Sequence, residues 1–395
     1  MPDYRERFHI PRAADGGECV YLCGHSLGLQ PRSVRAYIEQ ELKDWELLGV
    51  VGHYRARHPW IPYNKLLTEQ TARLVGAKPL EVVTMNSLTV NLHLMMVSFY
   101  RPTRQRYRIV VEEHAFPSDQ YAVKSQAQFH GFDPAASVET VAGEDELEEL
   151  LDREGDSIAL VLMGGVNYSS GRAFDMARVA RAGHAHGCLV GFDLAHAAGN
   201  LVLKLHEWGA DFAVWCTYKY LNGGPGCIAG CFVHERHARR EDLPRLAGWW
   251  GHDPETRFRM EPDFHATPGA EGWQVSNPPI VALAALRASM DLFDEAGMEW
   301  LRARSVDLTG YLESLLDRHA NRGFSIVTPR DPERRGAQLS IRVAGPVRAV
   351  WERLAAAGVV CDWREPDILR VAPAPLYNTV EDIDRFVDRF VAALG

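Results

Sequence analysis

Residues 190–226 read VGFDLAHAAGNLVLKLHEWGADFAVWCTYKYLNGGPG. With the two residues before it, this stretch holds two apolar runs of strand length, Cys188 to Phe192 and Phe212 to Cys216. The first run ends at Asp193, with His196 three residues on. The second ends in Thr217-Tyr218-Lys219 and a turn of Asn222, Gly223, Gly224, Pro225 and Gly226. In an open α/β sheet, ligands bind outside the carboxyl ends of the strands, where this Asp and this Lys would meet. A Lys there can form a Schiff base with an aldehyde cofactor, and an Asp can pair with a protonated ring nitrogen, the arrangement pyridoxal 5′-phosphate requires. Taken alone, Asp193 reads equally as a helix cap and Lys219 as a solvated loop residue. Their position directly after apolar runs favours partners, because a buried charge without one is costly.

The 395 residues suffice for a large core and two lobes of unequal size. Hydrophobic residues at 46% and charged residues at 24% are the balance of an ordinary globular chain. A formal charge of −9 argues against a nucleic-acid surface while leaving room for a basic pocket. Cys188, Cys216, Cys227 and Cys231 sit in apolar runs and read as buried thiols of a reducing compartment. The pairs Cys19/Cys23 and Cys227/Cys231 lack a second matching set, so no metal is expected. The N-terminus carries no apolar signal-peptide core and no window reaches membrane-span length, which predicts a cytoplasmic protein without membrane contact.

Along the chain, Cys23 to Pro31 is a shaped loop with two glycines and a proline, containing His25. Helical spacing predicts helices from Val34 to Trp45, ending at Gly49, and from Tyr63 to Val75, ending at Gly76. Strand Val82 to Met85 leads through Asn86-Ser87-Leu88-Thr89 into an apolar helix. Hydroxyl residues at a helix start cap it, and the same geometry makes a phosphate site. Strand Tyr107 to Val111 runs into Glu112-Glu113-His114-Ala115-Phe116-Pro117-Ser118-Asp119, a turn able to offer an aromatic face with polar groups beside it. A solvated acidic helix is predicted over 144–152, strand Ile158 to Met163 with its loop Gly164 to Gly171, and a helix from Asp175 to His186. Beyond Lys219 come strand Cys227 to Val233 and helices from Pro279 and Met298. The tail alternates strands (324–327, 338–343, 359–363, 368–371) with helices (347–357, 380–394), an α+β lobe. Arg370 lies mid-strand among apolar residues; its planar fork suits a carboxylate, either of the protein or of a substrate.

FDLAHAAGN, WCTYKYLNGG, the earlier FPSD and the later VSNPPI together resemble the kynureninase family, over about Tyr21 to Asn378. The resemblance implies the aspartate-aminotransferase-like α/β fold, PLP fold type I. A large mixed-sheet cofactor domain at 55–285 would be joined by a smaller α+β domain from 1–54 and 286–395. It implies pyridoxal 5′-phosphate on Lys219, with Asp193 on its ring nitrogen, Phe116 stacked on it, and Asp119 and His196 in its hydrogen-bond network. It assigns Leu88 and Thr89 to the phosphate, Ser118 to the cofactor, Arg370 to the substrate carboxylate, and His53, Ser276 and Asn277 to the substrate ring. Trp249 and Asn277 would come from the neighbouring subunit of a homodimer with shared sites. The implied reaction is hydrolysis of L-kynurenine or its 3-hydroxy form to an anthranilate and L-alanine, with Lys219 moving the α-proton and Tyr218 the candidate for a later proton transfer. Other chemistries of the same fold, cysteine desulfurase or aminotransferase, would share Asp193, His196 and Lys219 but not VSNPPI or FPSD; a non-catalytic PLP-binding protein would keep the cofactor without turnover. Two positions depart from the family pattern: His25, where Asn is usual, and Gly164, where Ser is common.

Overall fold

In the computed structural model, which describes residues 4–395, a seven-stranded sheet forms the centre. Its order is Val82–Met85, Ala229–Val233, Phe212–Trp215, Leu189–Asp193, Ile158–Gly164, Arg108–Glu112, Val138–Val141. Only Ala229–Val233 runs against its neighbours; the other six strands point the same way. The strand Ile158–Gly164 is buried throughout, as a parallel strand covered on both faces must be. Its side chains alternate: Val161 and Met163 enter one apolar core, Leu160 and Leu162 the other. Because the six strands share a direction, Met85, Glu112, Gly164, Asp193 and Trp215 all end at one edge of the sheet. Those strand ends and the segments that follow them carry nine of the fourteen candidate site residues.

A second, antiparallel sheet orders Asp362–Arg364, Ile368–Val371, Leu339–Val343 and Phe324–Ile326. Helix Val380–Leu394 covers it with Ile383, Phe386, Val387 and Phe390, a stripe at helical spacing, and starts in a Thr379/Asp382 capping box. The N-terminal Val20–Tyr21 pairs in parallel with Val359–Val360, and Cys23 bridges to Ala372. This carries the loop from Cys23 to Pro31 alongside the Arg370 strand. The helix Val34–Leu48 packs on Ile280–Ala296, and residue 285, the expected domain boundary, lies inside that second helix.

Three local expectations change. The stretch after Phe116 is the helix Pro117–Phe129, with Pro117 at its first position; its buried stripe of Ala122, Val123, Gln126 and Ala127 is too polar to read as amphipathic. The strand before it ends at Glu112, one residue later than predicted, which brings Glu112 to the sheet edge. The expected strand 359–363 divides at Cys361: Val359–Val360 pairs with Val20–Tyr21, whereas Asp362–Arg364 folds back on Ile368–Val371. A run of β-formers shows extended backbone but not which partner each half takes.

Candidate active site

The crevice at the carboxyl edge of the central sheet is lined by Leu88, Thr89, Glu112, Phe116, Ser118, Asp119, Gly164, Val166, Tyr168, Asp193, Ala195, His196, Tyr218 and Lys219. Nine of the residues singled out in the sequence are thereby brought together: Leu88, Thr89, Phe116, Ser118, Asp119, Asp193, His196, Tyr218 and Lys219.

Lys219 Nζ lies 3.0 Å from His196 Nε2, 5.8 Å from the centre of the Phe116 ring and 5.9 Å from that of Tyr218. Burial and the Lys219 charge hold the His196 imidazole well below the ordinary histidine range, so it is neutral and its Nε2 accepts from the lysine. Its Nδ1 then carries the proton and is buried with no partner. Asp193, directly opposite Gly164 in the sheet, accepts the Ala195 N–H at 2.7 Å. Burial raises the Asp193 carboxyl, while the Ala195 N–H and Lys219 pull it down. Burial raises Asp119 well above the carboxylate range, and the Asp193 charge adds to this; Asp119 is the acid that bonds to Asp193. Asp119 Oδ1 is buried without a partner. Burial and Cys216 raise the Tyr218 phenol, which stays protonated.

Two helices begin at the same corner, Leu88–Phe99 and Pro117–Phe129, and neither has a side-chain cap. The Thr89 and Ser118 hydroxyls, one from each first turn, lie 2.7 Å apart. Two uncapped helix starts and two hydroxyls make an anion cradle: free N–H groups and the positive ends of both dipoles converge there. A cation-bearing ring beside Asp193, an aldehyde at Lys219, an aromatic face at Phe116 and a phosphate at Thr89 and Ser118 match the parts of pyridoxal phosphate. The orphaned Asp119 Oδ1 and His196 Nδ1 are polar atoms such a group would satisfy.

Glu112 and Tyr168 were not among the residues expected at the site. Glu112 ends its strand after an apolar run, the same signal that marked Asp193, but as half of an acidic pair it reads as surface. Its carboxylate accepts the Gly164 N–H at 2.8 Å, and burial pushes it up to about 7. A Cβ at Gly164 would lie 2.7 Å from Glu112 Oε1, so the place a Ser side chain would start is taken by this carboxylate.

Arg370 is 1% exposed and joins the crevice through Tyr168, whose carbonyl accepts from Nη1 at 2.8 Å. Asp362 takes its Nε at 2.8 Å and its Nη2 as a bidentate partner. These three bonds leave two of a guanidinium's five N–H groups. A protein salt bridge and a further carboxylate are both accommodated.

Besides Arg370, four expected residues do not line the crevice. His53 packs edge-on against Trp60, with ring centres 5.4 Å apart. Trp249 is 43% exposed, its indole N–H on the Arg257 carbonyl and its ring against Trp250 and Phe258. Ser276 and Asn277 are exposed on the segment before the helix Ile280–Ala296.

Among the described residues, two groups bring His, Cys or acidic side chains within 4.8 Å: Cys23 with His25 and Asp362, and Glu81 with His206 and His234. In the first, burial pushes the Cys23 thiol up to about 12 and the Arg370 cation adjoins, both adverse to a metal. In the second, Glu81 already accepts from Lys78 N, Glu235 N and His206. No described helix is long and apolar enough to cross a membrane.

Residues 301–390 match the family described as Kynureninase C-terminal domain. The chain is 67% identical over 403 residues to a protein of Koribacter versatilis (strain Ellin345) named kynureninase, covering 100% of this chain and 95% of that one. It is 61% identical over 393 residues to the kynureninase of Myxococcus xanthus (strain DK1622), covering 97% and 92%. Among solved structures, a C-DES lysine-to-alanine mutant with glycine covalently linked to its PLP cofactor aligns with a TM-score of 0.83 at 17% identity, over 99% of both chains. The cysteine desulfurase CsdA of Escherichia coli gives 0.79 at 20% identity, over 99% of this chain and 97% of that one. The structural likenesses establish the aspartate-aminotransferase-like fold, which desulfurases share. Identity of this extent over the whole length decides the family: the chain belongs to the kynureninases.

Proposed function

We propose that the chain hydrolyses the Cβ–Cγ bond of L-kynurenine or its 3-hydroxy form, releasing an anthranilate and L-alanine. The observation that carries this is the 67% identity to a kynureninase over the whole chain, with Lys219 and Asp193 converging from two strand ends on one crevice with Phe116 and the Thr89–Ser118 cradle.

Pyridoxal phosphate bound there supplies an electron sink, first for the α-carbon and then for the β-carbon of the amino acid. Lys219 would hold it, and its Nζ, when free, moves the α-proton. Asp193 keeps the ring nitrogen protonated, backed by the protonated Asp119. Phe116 covers one ring face, and Leu88, Thr89 and Ser118 hold the phosphate. His196, neutral, orients the ring substituents and is no base. Water adds its hydroxyl to the γ-carbonyl carbon and the Cβ–Cγ bond breaks with its electrons on Cβ; the Tyr218 phenol gives Cβ a proton and recovers one from water's remaining hydrogen, and Lys219 returns the α-proton to complete alanine. Arg370 reads the substrate carboxylate with its two remaining N–H groups.

The reading extends to a homodimer. Trp249, Ser276 and Asn277 lie outside the crevice on exposed surface, consistent with Trp249 and Asn277 of each copy completing the site of the other; His53, also outside the crevice, has its place beside the substrate ring from the resemblance alone. Residues 55–285 would hold the cofactor, with 1–54 and 286–395 forming the smaller unit, a division supported by the pairing of Val20–Tyr21 with Val359–Val360. All seven cysteines are buried, and burial raises every thiol, so a desulfurase's mobile nucleophile has no candidate.

The test is the absorption spectrum of the purified protein with pyridoxal phosphate, before and after L-kynurenine, with products weighed by mass spectrometry. A cofactor band that shifts with substrate, with anthranilate and alanine formed, supports the reading. A band that stays inert to both kynurenines rejects it.

A further inference from the structure

His25 is fully buried in the loop between Cys23 and Pro31, which the parallel pairing of Val20–Tyr21 lays beside the Arg370 strand. Its Nε2 lies 3.0 Å from Asp362 Oδ1, the same oxygen that takes Arg370 Nε at 2.8 Å. Asp362 Oδ2 takes Arg370 Nη2 and lies 3.2 Å from Arg364 Nη2. Burial, with Arg370 and Arg364 nearby, pushes the His25 imidazole down to about 4, so it is neutral and Nε2 serves as a donor. The cluster of Asp362, Arg370, Arg364 and a neutral His25 therefore carries one net positive charge. A protonated His25 would add to it, and an absent donor would leave Asp362 held by the two arginines alone, without the contact that fixes it from the side of the Cys23–Pro31 loop. Beside the cluster the Tyr220 hydroxyl, which can donate, is buried with no partner; His25 Nδ1 is unpartnered too, but it carries the ring's lone pair and only accepts. A free hydroxyl donor beside a net cation suits an anion.

We propose that His25 is a positioning residue for the substrate's α-carboxylate: its N–H fixes the Asp362 carboxylate, which in turn aims the Arg370 fork. This rests on the kynurenine reading above, with Arg370 as the carboxylate contact. Lost hydrogen bonds to charged groups weaken binding about tenfold or more. A Gln amide reaches roughly as far as His Nε2 and keeps the donor without a titrating ring.

The experiment compares wild type with His25→Leu, His25→Ala and His25→Gln in the cofactor-loaded protein. It reads KM and kcat for L-kynurenine, the Kd of L-alanine from the cofactor spectrum, and pyridoxal phosphate affinity from titration of the cofactor-free protein. Leu is expected to raise KM and the L-alanine Kd about tenfold or more, with kcat within about threefold and cofactor affinity unchanged. Gln should restore both constants to within about threefold of wild type. If Leu does not fold, Ala, which leaves a hole rather than a misfit, should show the same split. Unchanged KM and Kd in the Leu or Ala variant, or a Gln variant as impaired as they are, would overturn the role of His25 while leaving the activity intact. A wild type that neither cleaves L-kynurenine nor binds L-alanine would overturn the activity, and this role with it.

Discussion

Lys219 Nζ and His196 Nε2 stand 3.0 Å apart, with the lysine donating to an imidazole that burial keeps neutral. The lysine thus has a hydrogen-bond acceptor at hand that takes no charge itself. Replacing Lys219 by Ala removes the covalent anchor and the group that moves the α-proton. The cofactor's covalent absorbance band should vanish and turnover should drop by roughly 10³ or more. A variant that keeps both the band and the turnover would remove Lys219 from the mechanism.

Glu112 gives a pH signature of stability. Its folded value, raised by burial from 4.5 to about 7, lies above the unfolded one. The contribution of its protonated form is complete below about pH 4.5 and is lost as pH rises through about 7. Above that, keeping the buried carboxylate ionised costs up to about 3 kcal/mol. Glu112→Gln keeps an oxygen for the Gly164 N–H and abolishes the charge. In urea melts of the cofactor-free protein, the variant should exceed wild type at pH 8.5 and converge with it toward pH 5. A difference that does not change with pH would reject the assignment.

Gly28 makes the close approach that seats the Lys219 loop. Its N–H donates to the Tyr218 carbonyl at 2.8 Å, and a Cβ there would collide with the Lys219 carbonyl oxygen and Asn222 Oδ1, with Asn222 Cα at 2.8 Å. Backbone cannot swing aside as a side-chain end can, so Gly28→Ala should destabilise the protein by about 1–3 kcal/mol. It should also weaken pyridoxal phosphate binding by displacing Lys219. Titration of the cofactor into the cofactor-free variant, beside its thermal melt, checks both; wild-type values in the two measurements would show that the loops part freely.

Asp193 and Lys219 were legible because a charge directly after an apolar strand has few structural uses, and the helix at Leu88 because its apolar residues run through to Phe99. Glu112 obeys the same rule as Asp193 but stands beside Glu113, and an acidic pair suggests solvent. The helix Pro117–Phe129 was hidden by Lys124, Ser125 and Gln126 in its middle, which blur the stripe. His25 and Asp362 meet across 337 positions through the split of the 359–364 segment between two sheets. Periodicity reports how a segment is buried, whereas pairing over such a separation is a property of topology. His53, Trp249, Ser276 and Asn277 had their roles from resemblance alone, and none of them faces the crevice within one chain.

That last separation leads to a test of sharing between copies. If Trp249 completes the site of a second copy, Lys219→Ala and Trp249→Ala damage different halves of each site. Each variant alone should be impaired, the second by about tenfold or more as a lost aromatic anchor. After unfolding and refolding an equal mixture, about half of the dimers are mixed, and each mixed dimer joins an intact Lys219 to an intact Trp249 at one of its two sites. About a quarter of wild-type activity should return. If Trp249 served its own chain, every site in the mixture would carry one defect and no activity would return beyond that of the separate variants, so the mixed refolding decides between the two arrangements.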